Sequence, residues 1–149
     1  MKVFVILITL FSFTCTIVQA AEGLINKTSS YNVQKTMDRF EKIVKDKGFN
    51  VVARVNHTAA AIKSGSTLRP TELLIFGNPK LGTQLMQSNQ TIGIDLPLKV
   101  LVWEDDKGTV TLSYNDPTWL QKRHGISDRN KTFAKMTGAL NKFSDSAIN

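Results

Sequence analysis

The chain has 149 residues, 42% of them hydrophobic and 21% charged, and a formal net charge of +7. That length suits one domain with a single core. The lone cysteine, Cys15, excludes an internal disulfide and a thiolate metal site. A basic balance favours anionic partners, but the cations are scattered, with no arginine-rich run or aromatic-basic stripe, so nucleic acid is not expected as a partner.

Met1-Lys2 gives a short positive start, Val3 to Phe13 is mostly apolar, and Val18-Gln19-Ala20 offers small side chains for a signal peptidase. The pattern predicts a secretory signal over residues 1–20, cleaved after Ala20, and a single domain over 21–149 in the periplasm or outside the cell. Polar Thr9, Ser12, Thr14 and Thr16 break the apolar run, which is too short for a span of about 20 residues. No membrane span is expected after cleavage.

Leu24 to Ser30 reads as a first strand. Val33, Met37, Phe40 and Ile43/Val44 then recur at helical spacing, with Asn32 as cap and Gly48 as stop. Phe49 to Val55 reads as a strand and Thr58 to Lys63 as a short helix. Glu72 to Phe76, with four consecutive apolar residues, predicts a central strand covered on both faces. Asn78 stands where a helix cap belongs and Pro79 at the first helical position, and the helix runs on through Leu81, Leu85 and Met86. Ile92 to Pro97 is a turn-rich entry to a strand over Leu98 to Glu104. Asp105-Asp106-Lys107-Gly108 is a hairpin turn. The return strand alternates, with Val110, Leu112 and Tyr114 on one side. Asp116-Pro117 caps a helix ending at Gly125, and a last helix starts near Ser127, with Phe133, Met136, Leu140 and Phe143 on one stripe. This order predicts an α+β fold: a small antiparallel or mixed sheet with helices packed mainly on one face.

Three blocks occur together: Arg69-Pro-Thr-Glu-Leu-Leu-Ile-Phe-Gly-Asn-Pro-Lys80, Ile94-Asp-Leu-Pro-Leu-Lys99 leading to Val102-Trp-Glu104, and Leu112-Ser-Tyr-Asn-Asp-Pro117 with Arg123-His-Gly125. Asn56-His57-Thr58-Ala59-Ala60-Ala61 precedes them. From about Leu24 to Ile126 the chain resembles the domain of unknown function 302 family. The resemblance implies a small α+β domain, often dimeric, with no settled activity. Family members often carry aspartate where this chain has Asn56, so a role needing an acid beside His57 is in doubt.

Four positions are candidates for chemistry. At Gly77-Asn78-Pro79-Lys80, free amides at a helix start would attract an anion, glycine would allow close approach and Lys80 would add charge; an ordinary capped connection explains the same residues. His57, at the start of a short helix, suits a general base, a hydrogen-bond donor or a metal ligand, or is a histidine satisfied by a nearby carbonyl. His124 lies in a last helical turn with Lys122 and Arg123, where cations complement the helix dipole. Asp95, among apolar residues, is either turned outward or held by a specific partner, with His57, Lys99 and Arg69 the candidates. Two distant histidines do not make a zinc spacing, so no metal and no cofactor is expected. The preferred reading is a non-enzymatic binding module for a small, anionic ligand, bound by His57, Gly77, Asn78 and Lys80, in a self-associating homodimer. The rivals are an enzyme using His57 and Asp95 as an acid–base pair, and a ligand-free assembly domain.

Overall fold

The structure, a computed structural model, describes residues 22–149; the expected signal segment lies outside them. Strands β1 (Leu24–Thr28), β2 (Asn50–Asn56), β3 (Thr71–Gly77), β4 (Leu98–Glu104) and β5 (Val110–Asn115) form one sheet in the order β1-β5-β4-β3-β2. Every pairing is antiparallel. The helices are α1 (Val33–Asp46), α2 (His57–Lys63), α3 (Pro79–Ser88), α4 (Pro117–Arg123) and α5 (Asn130–Ile148), with a 3-10 turn over Gln90–Ile94. The fold is α+β.

Local chemistry sets most of these boundaries. Asn32 Oδ1 accepts the Lys35 amide at 2.8 Å, and Asp116 Oδ1 accepts the Thr118 amide at 2.8 Å, each satisfying a donor the first helical turn leaves open. Asn56 does the same for α2 through the Ala59 amide at 2.7 Å. Gly108, at φ 78°, closes the β4–β5 hairpin. The last helix starts at Asn130 rather than near Ser127, with no side-chain cap.

Helices α1 and α5 pack on one sheet face. Val33, Met37, Phe40 and Val44 of α1 and Leu140, Phe143 and Ala147 of α5 meet Leu74, Phe76, Val100, Val102, Leu112 and Tyr114. Phe40 meets Phe76 edge-on with centroids 5.4 Å apart, and Phe49 meets Phe143 at 5.8 Å, arrangements that add about 1 kcal/mol each beyond area burial. A second core, of Leu85, Ile92, Leu120, Ile126, Phe133 and Met136, joins α3, the 3-10 turn and α4 to α5.

One expectation fails here. β3 lies between two strands, but only one of its faces is covered: Glu72, Leu74 and Phe76 are buried, while Leu73 and Ile75 are half-buried. Neither Leu73 nor Ile75 joins a core, and nor do their neighbours Val55 and Leu101. The continuous apolar run reflects a second apolar face, not a second layer of helices.

Candidate functional site

Where α3 leaves the sheet, a groove of about 660 Å³ opens between α3 and α5, within the usual range for a small-molecule site. Its floor is Phe49, Phe76, Leu98 and Leu140; Leu81, Leu85 and Met86 form one wall, and Met136, Ala139 and Phe143 the other. Gly77 and Asn78 lie at one end, and Lys135 is the sole charged residue in the lining. At the other end, Arg129 Nε donates to Gln84 O at 3.3 Å and Ser88 Oγ donates to Asp128 Oδ2 at 3.0 Å, tying α3 to the start of α5.

The start of α3 offers an anion no free amide. Pro79 has none. The Lys80 amide donates to Asn78 Oδ1 at 3.0 Å, and those of Leu81 and Gly82 donate to Asn78 O, both at 3.0 Å. The cap is complete within the chain, which removes the basis for an amide cradle. Gly77 has a packing reason to be glycine: a Cβ there would stand 3.3 Å from Pro97 Cβ. Lys80 is exposed and does not line the groove.

His57 is not part of this groove. Asn50 pairs with Gly77 at one end of the β2–β3 ladder and Asn56 pairs with Glu72 at the other. His57 therefore sits at the opposite end of the sheet from Gly77, Asn78 and Lys80. The same ladder separates it from Asp95, which precedes β4 on the Gly77 side, since Leu98 pairs with Phe76.

The partner of Asp95 is His124. His124 Nε2 lies 2.6 Å from Asp95 Oδ2 and His124 Nδ1 lies 3.0 Å from Thr91 Oγ1. Arg123 Nη1 stands 3.4 Å from Asp95 Oδ1, and Asn89 Nδ2 donates to His124 O at 2.8 Å. Of the partners expected for Asp95, Lys99 reaches only its backbone carbonyl, at 3.2 Å. The His124 and Asp95 side chains are 6% and 11% exposed. The Thr91 hydroxyl has one proton and two acceptors in reach, His124 Nδ1 and Asn89 Oδ1 at 2.9 Å. A neutral ring takes that proton at Nδ1; a charged ring, donating from both nitrogens, leaves it to Asn89. None of these residues lines the groove. They clamp the 3-10 turn onto the end of α4. Sequence reasoning missed the pair because 29 residues separate its members and no local pattern links them.

A second ionic cluster lies under α1. Arg54 on β2 reaches Glu72 on β3 through Nε and Nη2, both to Oε2, at 2.7 and 2.6 Å. Its Nη1 reaches Asp38 Oδ1 at 2.5 Å and Glu41 Oε2 at 3.2 Å. Burial pulls the Arg54 guanidinium towards its neutral form, but hydrogen bonds to Asp38, Glu72 and Glu41 outweigh burial and raise its pKa. A hydrogen bond from Lys45, one turn on, holds the Glu41 carboxyl below its ordinary range; partial burial opposes this and Arg54 reinforces it. No local sequence pattern signals this cluster, whose members come from α1, β2 and β3.

Among the described residues no three His, Cys, Asp or Glu side chains gather as a metal site, and no helix is long and apolar enough to cross a membrane.

Compared with known proteins, residues 25–143 match the family model described as "Domain of unknown function DUF302". The chain belongs to the DUF302 family. A crystal structure of an uncharacterised conserved DUF302 protein from Bacillus stearothermophilus shares the fold, with a TM-score of 0.76 and 22% identity over 87% of this chain and 100% of that one. Over 118 residues this DUF302 chain is 48% identical to proteins named fluoride-specific ion channel FluC 1 in Brucella suis biovar 1 and in Brucella abortus biovar 1, covering 78% of this chain. It spans 46% and 44% of their lengths, less than half of each.

Proposed function

We propose that this DUF302 domain is an exported, non-enzymatic binding module that holds a small apolar molecule in the α3–α5 groove. The observation that carries the reading is the groove's volume, about 660 Å³, with a lining mainly of carbon. Such a cleft is the default binding site of a small domain. No histidine, cysteine, serine, aspartate or glutamate lines it: His57 lies at the far end of the sheet, and Asp95 and His124 are engaged with each other outside it. That counts against the His57/Asp95 enzyme. Export rests on the N-terminal sequence pattern.

The channel name of the longer relatives bears on the choice of ligands. Fluoride is small and strongly hydrated, and stripping its water calls for converging N–H or O–H donors. The groove is mainly apolar, with Lys135 its one charge and its other polar side chains (Asn50, Asn78, Thr83, Gln84 and Thr132) scattered round the lining, so we assign fluoride passage to the part of those proteins that this chain does not match.

Self-association is a second part of the proposal. It is favoured by the open sheet face, where Val55, Leu73, Ile75 and Leu101 stay half-buried outside both cores. Light scattering on the purified domain tests it: a monomer at all concentrations ends it.

Thermal shift of the domain against neutral apolar compounds and fluoride tests the groove. Apolar compounds should raise the melting temperature, by mass action on the folded state, and fluoride should not. Ala139→Phe, which fills the groove, should abolish the shift, and Met86→Glu at its rim should weaken it. No shift with any apolar compound, or a shift unchanged in both variants, would overturn the reading.

A further inference from the structure

Resting on that reading, we infer that the groove's ligand is a free single-chain amphiphile with one anionic head, seated with the head at Lys135 and the chain running towards Phe49 and Phe143. Three observations converge. The lining contains no aspartate or glutamate, and Lys135 is its sole charge. A carboxylate or sulfate head would find a counter-ion there and no repelling group. Lys135 is also missing from the ion pairs of the described residues. Its ammonium is not already committed to a carboxylate of the fold.

Charge is also confined to one part of the groove, although the uncharged amides of Asn50 and Asn78 border the far end. Thr132 and Lys135 come first on α5, and Met136, Ala139, Leu140 and Phe143 follow. From Lys135 to Phe143 is about 12 Å of helix axis, which favours an extended chain over a compact ring. The far end closes on aromatic rings, with Phe49 to Phe143 at 5.8 Å and Phe49 to Phe76 at 6.0 Å, and no charge stands there.

The surrounding field has the same sign. Lys131 precedes Lys135 by one turn and Lys142 follows by two, so the three share one stripe of α5. Such a stripe raises the local concentration of an anion and speeds its arrival. It does not replace the contact inside the groove, because exposed charges are screened over about 10 Å at ordinary salt.

The test compares dodecanoate with dodecanol, below their aggregation concentrations, by calorimetry and thermal shift on the full domain. Dodecanoate should bind native protein more tightly than dodecanol. Lys135→Ala should weaken dodecanoate about five-fold, the scale of one partly exposed ion pair, and leave dodecanol unchanged. Lys135→Arg should restore most of the loss, and Lys131→Ala should act only through the salt-dependent on-rate. Equal binding of both compounds, insensitive to Lys135, would overturn the anionic head while leaving the apolar groove standing. Binding of neither would overturn the groove itself. Flotation with phosphatidylglycerol vesicles, with no response to soluble dodecanoate, would replace the free amphiphile by a membrane surface and overturn the inference.

Discussion

Replacing Arg54 by methionine isolates the ionic cluster beneath α1. The change keeps most of the side chain's length and removes every donor. Glu72 Oε2 then loses both guanidinium contacts, at 2.7 and 2.6 Å, while Oε1 keeps only a long one, the Asn56 amide at 3.4 Å. Glu72 is 8% exposed, so water does not replace what is lost; Asp38 loses its guanidinium contact as well, while Glu41 keeps Lys45 at 2.6 Å. Stranding a buried charge costs about 3–5 kcal/mol. The Arg54 side chain is 27% exposed, so solvent already screens part of the interaction, and the lower end, about 3 kcal/mol, is expected. In a domain of this size that lowers the melting temperature by roughly 10 °C. Urea unfolding, followed by the fluorescence of Trp103 and Trp119, measures it. Arg54→Met with Glu72→Leu removes both charges and should recover stability to within about 1 kcal/mol of native. A single variant within about 0.5 kcal/mol of native, or a double variant as unstable as the sum of the singles, would refute the reasoning.

Three further outcomes follow from particular contacts. His124→Ala strips Asp95 of its closest partner and should cost about 2 kcal/mol, read as a lower urea midpoint, with groove ligands unaffected. Gly23→Ala should be clearly worse than Gly65→Ala: both sit at φ +77°, but a Cβ at Gly23 would fall 2.2 Å from the Trp119 ring, whereas nothing lies within 4 Å at Gly65. The positive φ alone costs about 1 kcal/mol, and the clash should add to it and shift the Trp119 emission. Glu41, held below its ordinary range, stabilises fully above its unfolded pKa of about 4.3 and loses that contribution as pH falls through its lower folded value. Glu41→Gln should therefore be slightly less stable than native at pH 7, by about 0.5 kcal/mol, and the gap should close on acid titration below about pH 4.

What was legible in the sequence was local. Asn32, Asn78 and Asp116 could be read as caps because a cap depends on two or three neighbouring residues, and all three accept an amide of the first turn. The stripe Phe133, Met136, Leu140 and Phe143 could be read from helical spacing, and all four are buried. What depends on strand order could not be read. His57 and Asn78 each adjoin a predicted strand, but only the antiparallel pairing of Asn56 with Glu72 and Asn50 with Gly77 reveals that they lie far apart. The Asn78 cap that was legible also undid the anion cradle inferred from it, because a strong cap consumes the amides an anion would need. The groove was invisible for another reason: its walls are the same leucines and methionines that mark a core-facing helix, and which of them close up is decided by the distance between α3 and α5.

Both outer strands of the sheet aim a cation at the helix side. On β2 it is Arg54, bound to Asp38 and Glu41 of α1; on β1 it is Lys27, 2.5 Å from Asp145 of α5. A register shift between Val51 and Ala53 further breaks the outer line of β2. A foreign strand adding at either border would meet an irregular backbone or place its own apolar side chains beside an ion pair, two devices that discourage edge-to-edge growth. Val52, 62% exposed on an outer strand of the described sheet, thus stands beside devices that work against fibril templating.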